Sequence, residues 1–362
     1  MEPTGKGLKK ILIVGEAPGE QEDSNNTQLI GRAGKLLRRK LKKLDIDLDR
    51  DCWKTNAVIC RREKDKTPED YMIKACYPNL RKTIQKYNPN VILLLGAPAC
   101  KSLLWETWGD DIGRVGRWGG FVIPCRNPNA WIVPTYHPSH ILKKDDKILE
   151  LMFERHLELG ISKRKNKPWI EIPNYKKQVE IITKPSQAVS FIRDIQDGII
   201  AFDYETNCLK PEGEGTEIIS CSICYNGKRT ISYPWQGEAI EATSELLKSP
   251  IPKIAANLKF ENKWTKVKLG HWVKNWYWDT VVAAHVLNNA PGITSVKFQS
   301  FVLLGQEKYN EHIEPFLKEA GKNKFNRIKQ IDINDLLLYG GLDSLLEYKI
   351  AMKQIRLMKG RK

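Results

Sequence analysis

Apolar residues in this chain gather into short runs, each closed by Gly, Pro or polar residues. Runs of that length between turn residues read as buried strands. Residues 9–14 (KKILIV), 53–59, 88–96 (NPNVILLLG) and 131–134 are such runs in the first half. Between the first two lies 31–44, where Leu37, Leu41 and Leu44 fall on one helical stripe. Thr67-Pro68-Glu69-Asp70 opens another helix: Thr67 is placed to cap it, and Pro68 suits its first turn. Strand–helix alternation of this kind predicts α/β architecture, a parallel sheet covered by helices on both faces. A new unit begins near Tyr175. Residues 179–182 and 199–206 read as strands, with a helix over 184–195 between them. Residues 216–225 and 229–234 read as hairpin partners joined by Asn226-Gly227. After a further helix, residues 253–256 lead into Asn257-Leu258-Lys259-Phe260-Glu261, and a helix over 278–288 with a buried stripe follows. The stretch 158–173 is basic and holds two prolines, so it reads as a linker. The predicted organisation is a domain over 1–159, a linker over 160–174 and a domain over 175–362.

Composition narrows the partners. The 362 residues suffice for two cores, and the net charge is +16. That excess predicts a polyanionic partner, most simply nucleic acid. Eleven Trp and twelve Tyr supply rings able to stack on bases. No run reaches the roughly 18 apolar residues of a membrane span. Residues 1–7 lack the apolar core of a signal peptide, so the expected location is the cytoplasm. Eight cysteines in that compartment are not expected to form disulfides. Cys221 and Cys224 form a C-x-x-C on a strand, where residues three apart face opposite sides, and they read as core residues.

One strand carries candidate chemistry. Residues 199–206 end in Asp203-Tyr204-Glu205. The two carboxylates leave the same face, roughly 7 Å apart along the strand at about 3.3 Å per residue. Side by side they repel unless a cation lies between them, and hard oxygen ligands suit Mg²⁺ or Mn²⁺. A strand ending in a solvated turn is the alternative reading. Near the other end of the chain, Tyr339 and Asp343 are four apart and share a helix face.

Ordered motifs in the first half carry a resemblance. They are Gly15-Glu16-Ala17-Pro18-Gly19-Glu20-x-Glu22-Asp23, Gly31-x-Ala33-Gly34-x-Leu36-Leu37, Thr55-Asn56, Cys60…Cys76, Leu94-Leu95-Gly96-Ala97 and Pro134-Thr135-Tyr136-His137-Pro138-Ser139. Together, over roughly 8–158, they resemble the family 4 uracil-DNA glycosylases, the iron–sulfur type. The resemblance implies a three-layer α/β/α domain with a pocket for a flipped-out uracil. His137 would stabilise charge on uracil O2, Asn56 would read the pyrimidine edge, and Glu16 would orient or activate water. Gly15, Ala17, Pro18, Gly19, Leu29, Gly31 and Ser139 would line the nucleotide site, with Ile141 and Leu142 as wedges into the base stack. Two features depart from the pattern. Gln28-Leu29-Ile30-Gly31 stands where the family has Pro-Phe-Val-Gly, so Leu29 replaces the stacking aromatic. The family's N-terminal C-x-x-C has no counterpart. Cys60 and Cys76 therefore supply two of the four thiolates of a [4Fe–4S] cluster, with Cys52, Cys100 or Cys125 as substitutes.

The second half resembles the DEDDy-type, DnaQ-like 3′–5′ exonucleases, most closely the proofreading domain of bacterial polymerase I. Asp203-x-Glu205, Asn257-Leu258-Lys259-Phe260-Glu261 and Tyr339-x-x-x-Asp343 match its three motifs over about 175–358. The resemblance implies an RNase H-like α/β domain with a mixed sheet and a two-metal Mg²⁺ or Mn²⁺ site. Asp203, Glu205 and Asp343 would hold one ion, Glu261 would reach the other, Tyr339 would orient water, and Asn257 would contact substrate. Glu261 stands where the family has Asp. The tandem arrangement resembles the N-terminal part of phage-type family A DNA polymerases, with the polymerase module itself expected to be absent. The expected function is DNA processing by a metal-dependent 3′–5′ exonuclease joined to a uracil-DNA glycosylase. The alternative is a catalytically weakened DNA-binding accessory subunit of a separate DNA polymerase.

Overall fold

In the computed structural model, which describes residues 1–109, 112–319, 321 and 324–360, the apolar runs of the first half become strands. They are β1 (Ile11–Gly15), β2 (Cys52–Asn56), β3 (Val91–Leu95), β4 (Ile123–Cys125) and β5 (Ala130–Thr135). Their order is β2-β1-β3-β5-β4. The first four in that order run parallel, and β4 pairs antiparallel with β5 at the edge. Every residue of β1 and β3 is buried, as expected of central strands covered on both faces. β4 has three residues including Pro124, too short a run to announce itself, and Pro is tolerated at an edge.

The helix Arg32–Lys42 buries Leu37 and Leu41, and its basic face is partly consumed by ion pairs. Lys40 is buried between Glu150 and Glu154, Lys43 also reaches Glu154, and Arg38 forks onto Asp49 at 2.9 and 2.8 Å.

The expected linker is not free chain. Asn166 and Trp169 carbonyls accept from Trp131 and Asn129, and Lys167 donates to Asn88 and Pro89. The division between two units falls at Ile172/Pro173, inside the expected 160–174 boundary, and 301–307 count with the first unit. Proline content and charge miss this because the anchoring partners are backbone carbonyls and distant side chains.

The second unit holds β6 (Val179–Ile181), β7 (Ile200–Thr206), β8 (Ile218–Tyr225), β9 (Arg229–Pro234), β10 (Lys253–Ala255) and β11 (Trp276–Asp279). The order β11-β10-β7-β8-β9-β6 mixes parallel and antiparallel pairs. Asn226 and Gly227 take φ of 51° and 65° in the β8–β9 turn, the left-handed pair that such hairpins need. The helix expected at 278 starts at Thr280 instead, because Asp279 caps it by accepting from Val281 and Val282.

The last helix, Ile333–Lys359, packs on β6 to β9. A hydrogen bond to the helix backbone and a glycine mark that approach. Ser222 Oγ on β8 donates to the Gly340 carbonyl at 2.8 Å. A Cβ at Gly341 would lie 2.3 Å from Val179 Cγ1. Gly341→Ala is therefore expected to destabilise the fold by roughly 1–3 kcal/mol through overpacking. Urea unfolding checks this, and an unchanged midpoint contradicts the close approach. No helix among the described residues is long and apolar enough to cross a membrane.

Candidate active sites

The acidic cluster is built from β7 and the last helix. Asp203 and Glu205 leave one face of β7, paired across to Ser222 and Ser220 of β8. Asp343 comes from Ile333–Lys359, the helix that Gly341 lets settle on the sheet. Ligand atoms of the three carboxylates lie within 4.8 Å of one another. Burial first, then the charge of Asp343, pushes the Asp203 carboxyl up to about 8. Burial, then Asp203 and Asp343, raises Glu205 well above the usual range.

Two residues without a sequence signal complete this cluster. Lys297 Nζ donates to Tyr339 Oη at 2.6 Å and to Asp343 Oδ2 at 2.8 Å. Tyr309 donates its hydroxyl to Asp343 Oδ1. Burial opposes the Lys297 charge, but Asp343, Glu205 and Asp203 outweigh it and raise its pKa. An ammonium thus stands among carboxylates where a cation is expected, and the oxygen-rich donor set suits a divalent ion.

Glu261 lies on the helix Lys259–Leu269, 2% exposed, with Oε2 lacking a hydrogen-bond partner. The turn before it is held by Asp279, which accepts from the Asn257 and Leu258 amides at 3.2 and 3.1 Å. Asn257 itself has φ of 63° and is exposed. Asp279 and Glu347 are further residues that motif reading passed over. Glu347 was legible as an acid one turn after Asp343.

The second site gathers at the carboxyl ends of parallel strands, where open α/β sheets place ligands. Glu16 follows β1, Asn56 ends β2, Gly96 follows β3, and His137 follows β5. Gly96 explains the Leu-Leu-Gly-Ala motif. A Cβ there would lie 2.2 Å from Glu16 Oε1 and 3.1 Å from His137 Cβ. Gly15 likewise leaves room for Asn56, whose Oδ1 would lie 2.4 Å from an added Cβ. Asn56 is buried, and its Nδ2 has no hydrogen-bond partner.

His137 accepts at Nδ1 from the Ser139 amide at 3.2 Å, with Ser139 Oγ at 2.7 Å. That bond leaves the ring proton on Nε2. Burial, then Lys143, lowers the His137 pKa to about 4, so the ring is neutral. Burial raises the Glu16 carboxyl above its usual range, and Lys143 opposes the shift. Gly19 donates its amide to Glu22 at 3.1 Å, which shapes the Ala17-Pro18-Gly19 turn ahead of the helix Glu20–Ser24. Gly31 caps Arg32–Lys42.

Comparison with known proteins separates the two halves. Residues 3–158 match the uracil DNA glycosylase superfamily. The type-4 uracil-DNA glycosylase of Sulfurisphaera tokodaii is 34% identical over 168 residues, 44% of this chain and 76% of that protein. The chain belongs to the type-4 uracil-DNA glycosylase family. Residues 179–353 match a 3′-5′ exonuclease family, so the chain carries an exonuclease domain behind its glycosylase-family unit. It is also 30% identical over 142 residues to a DNA polymerase of Bacillus phage SP01, 39% of this chain and 14% of that polymerase. Escherichia coli RNase D aligns at 12% identity and a TM-score of 0.40, over 50% of this chain and 45% of that one.

The structure corrects three expectations for the glycosylase half. Leu29 is 3% exposed, in the apolar cluster with Leu36, Leu37 and Ile141, and so offers no free face to a base. Ile141 is equally buried, whereas Leu142 is 40% exposed, which leaves Leu142 as the wedge candidate. The cysteines do not fit an iron–sulfur cluster. Cys60 is exposed and Cys76 half-buried, but among the described residues no group of three or more metal-ligating side chains includes them. Cys52, Cys100 and Cys125 are buried. Burial holds their thiols far above the ordinary range, Cys125 at about 12, and Cys125 donates to the Asn127 carbonyl.

Proposed function

We propose that this chain degrades DNA from 3′ ends in its second unit and excises uracil in its first. The observation that carries the nuclease reading is the convergence of Asp203, Glu205 and Asp343 within 4.8 Å around an ammonium. Asp203, Glu205 and Asp343 would hold one divalent ion, with Glu261 reaching a second. When bound, Mg²⁺ or Mn²⁺ would activate water and stabilise the departing 3′-oxygen. Tyr339 is buried, and burial followed by the Asp343 charge keeps its hydroxyl protonated and able to orient water. Lys297, tied to both Tyr339 and Asp343, keeps these two groups in register and adds positive charge for a phosphate. Asn257, exposed at the turn before Glu261, is assigned to the DNA strand.

In the first unit, Asn56 Nδ2 is an orphan donor that a pyrimidine carbonyl would satisfy. The His137 Nε2 proton would face the negative charge developing on uracil O2. Glu16 would take a proton from the attacking water, which adds to the sugar carbon as uracil leaves with the bonding electrons. Gly15, Ala17, Pro18, Gly19, Gly31 and Ser139 line this nucleotide site on the same reading. The free cysteines and the phage polymerase likeness support action in the cytoplasm, in a host cell where phage-encoded, beside a DNA polymerase.

The test uses end-labelled single-stranded and uracil-containing oligonucleotides with Mg²⁺, Mn²⁺ or EDTA. Shortening from the 3′ end with either ion, and none in EDTA, is the expected result. DNA binding without shortening or excision under any divalent ion would instead make the chain an accessory subunit.

Cation binding is expected to release protons. Asp203 and Glu205 have carboxyls raised above their usual range, so at pH 7 the cation-free cluster holds protons that a divalent ion displaces. Apparent Mn²⁺ affinity therefore rises from pH 6 to pH 8. Titration calorimetry should give heats that depend on the buffer's ionisation enthalpy; buffer-independent heats would count against this.

A further inference from the structure

Glu347 follows Asp343 by one turn of Ile333–Lys359, so both leave the same helix face. Glu347 and Glu261 are each 2% exposed. In each, Oε2 has no hydrogen-bond partner. Burial, then the charges of Asp203, Glu261 and Asp343, raises the Glu347 carboxyl well above its usual range. Lys297 also acts on it, but its hydrogen bonds go to Tyr339 and Asp343. Two buried carboxyl oxygens without donors are unfavourable unless a proton or a cation satisfies them. A glutamate at 261, one methylene longer than aspartate, also calls for a different second contact to a shared ion.

We propose that Glu261 and Glu347 together hold a divalent cation, which makes Glu347 a fifth carboxylate of the centre. The inference rests on the nuclease reading above. A Gln at either position keeps the side-chain volume and removes the charge. The full chain is titrated with Mn²⁺ alone, with free ion counted by electron paramagnetic resonance. The natural chain should bind two ions, as a two-ion centre requires. Glu347→Gln should weaken one of them about tenfold or more. Its cation-free Tm should be equal or higher, and its Mn²⁺-induced rise in Tm smaller. Glu261→Gln should weaken the same ion, and the double variant should add little, as expected of two ligands to one cation. Unchanged Mn²⁺ binding in Glu347→Gln, or additive losses in the double variant, overturns the proposal. Asp203→Asn separates the two readings. If it keeps both ions, the nuclease reading itself fails; if it loses binding while Glu347→Gln does not, only the role of Glu347 falls.

Discussion

Asp203→Ala lowers 3′-nucleotide release by about 10³-fold or more while the chain stays folded. The size follows from position. Asp203 sits mid-strand between Phe202 and Tyr204, and its carboxylate shares a 4.8 Å cluster with Glu205 and Asp343. Removing it takes away one of the three carboxylates of that cluster. The backbone does not depend on this side chain, because β7 pairs with β8 on one side and β10 on the other. Burial raises the Asp203 carboxyl to about 8, so the fold carries an acid that burial disfavours in its charged form. Alanine removes that cost, and the cation-free Tm should not fall. Tyr339→Phe should cost less, about 10–10²-fold, since it removes one hydroxyl and keeps the ring. Single-turnover assays on a 3′-labelled oligonucleotide with Mg²⁺ measure both. An Asp203→Ala rate within tenfold of the natural chain would sink the assignment.

The sequence made the ends of strands legible, and the candidate site of the first unit lies there. Glu16, Asn56 and His137 follow or end apolar runs, so sheet topology alone brings them together. Asp203 and Glu205 were readable from period two, and Tyr339 and Asp343 from helical spacing. Lys297 and Tyr309 were not. They lie in stretches without apolar periodicity of their own, and only the tertiary fold carries them to Asp343. Leu29 and Ile141 show the opposite failure. Motif position suggested exposure, but their apolar side chains are worth more in the core with Leu36 and Leu37. Cysteine spacing likewise suggested a cluster, but among the described residues no group of three or more metal-ligating side chains includes Cys60 or Cys76.

His137→Ala is expected to reduce uracil excision by about 10²–10³-fold, the loss that follows removal of one preorganised donor. Ser139 fixes the ring by donating to Nδ1, and on the proposed reading the proton on Nε2 is the one the reaction would use. His137→Gln restores an N–H without the ring's fixed direction and should recover only part of the rate. The pH profile distinguishes a neutral donor from an imidazolium. Burial holds His137 at about 4, so excision should show no step near the ordinary histidine value of about 6.5. The acid limb is expected to come instead from Glu16, which as the proposed base must be deprotonated to accept a proton and whose carboxyl burial raises. Stability follows the same sign. His137 and His156 both drop to about 4 in the folded chain, so the unfolded chain binds more protons between about 4 and about 6.5. Their contribution is complete above that window and is lost as pH falls through it. A rate that instead rises as pH drops through about 6.5 would mean that His137 works charged, against the burial and the Lys143 charge that disfavour the imidazolium.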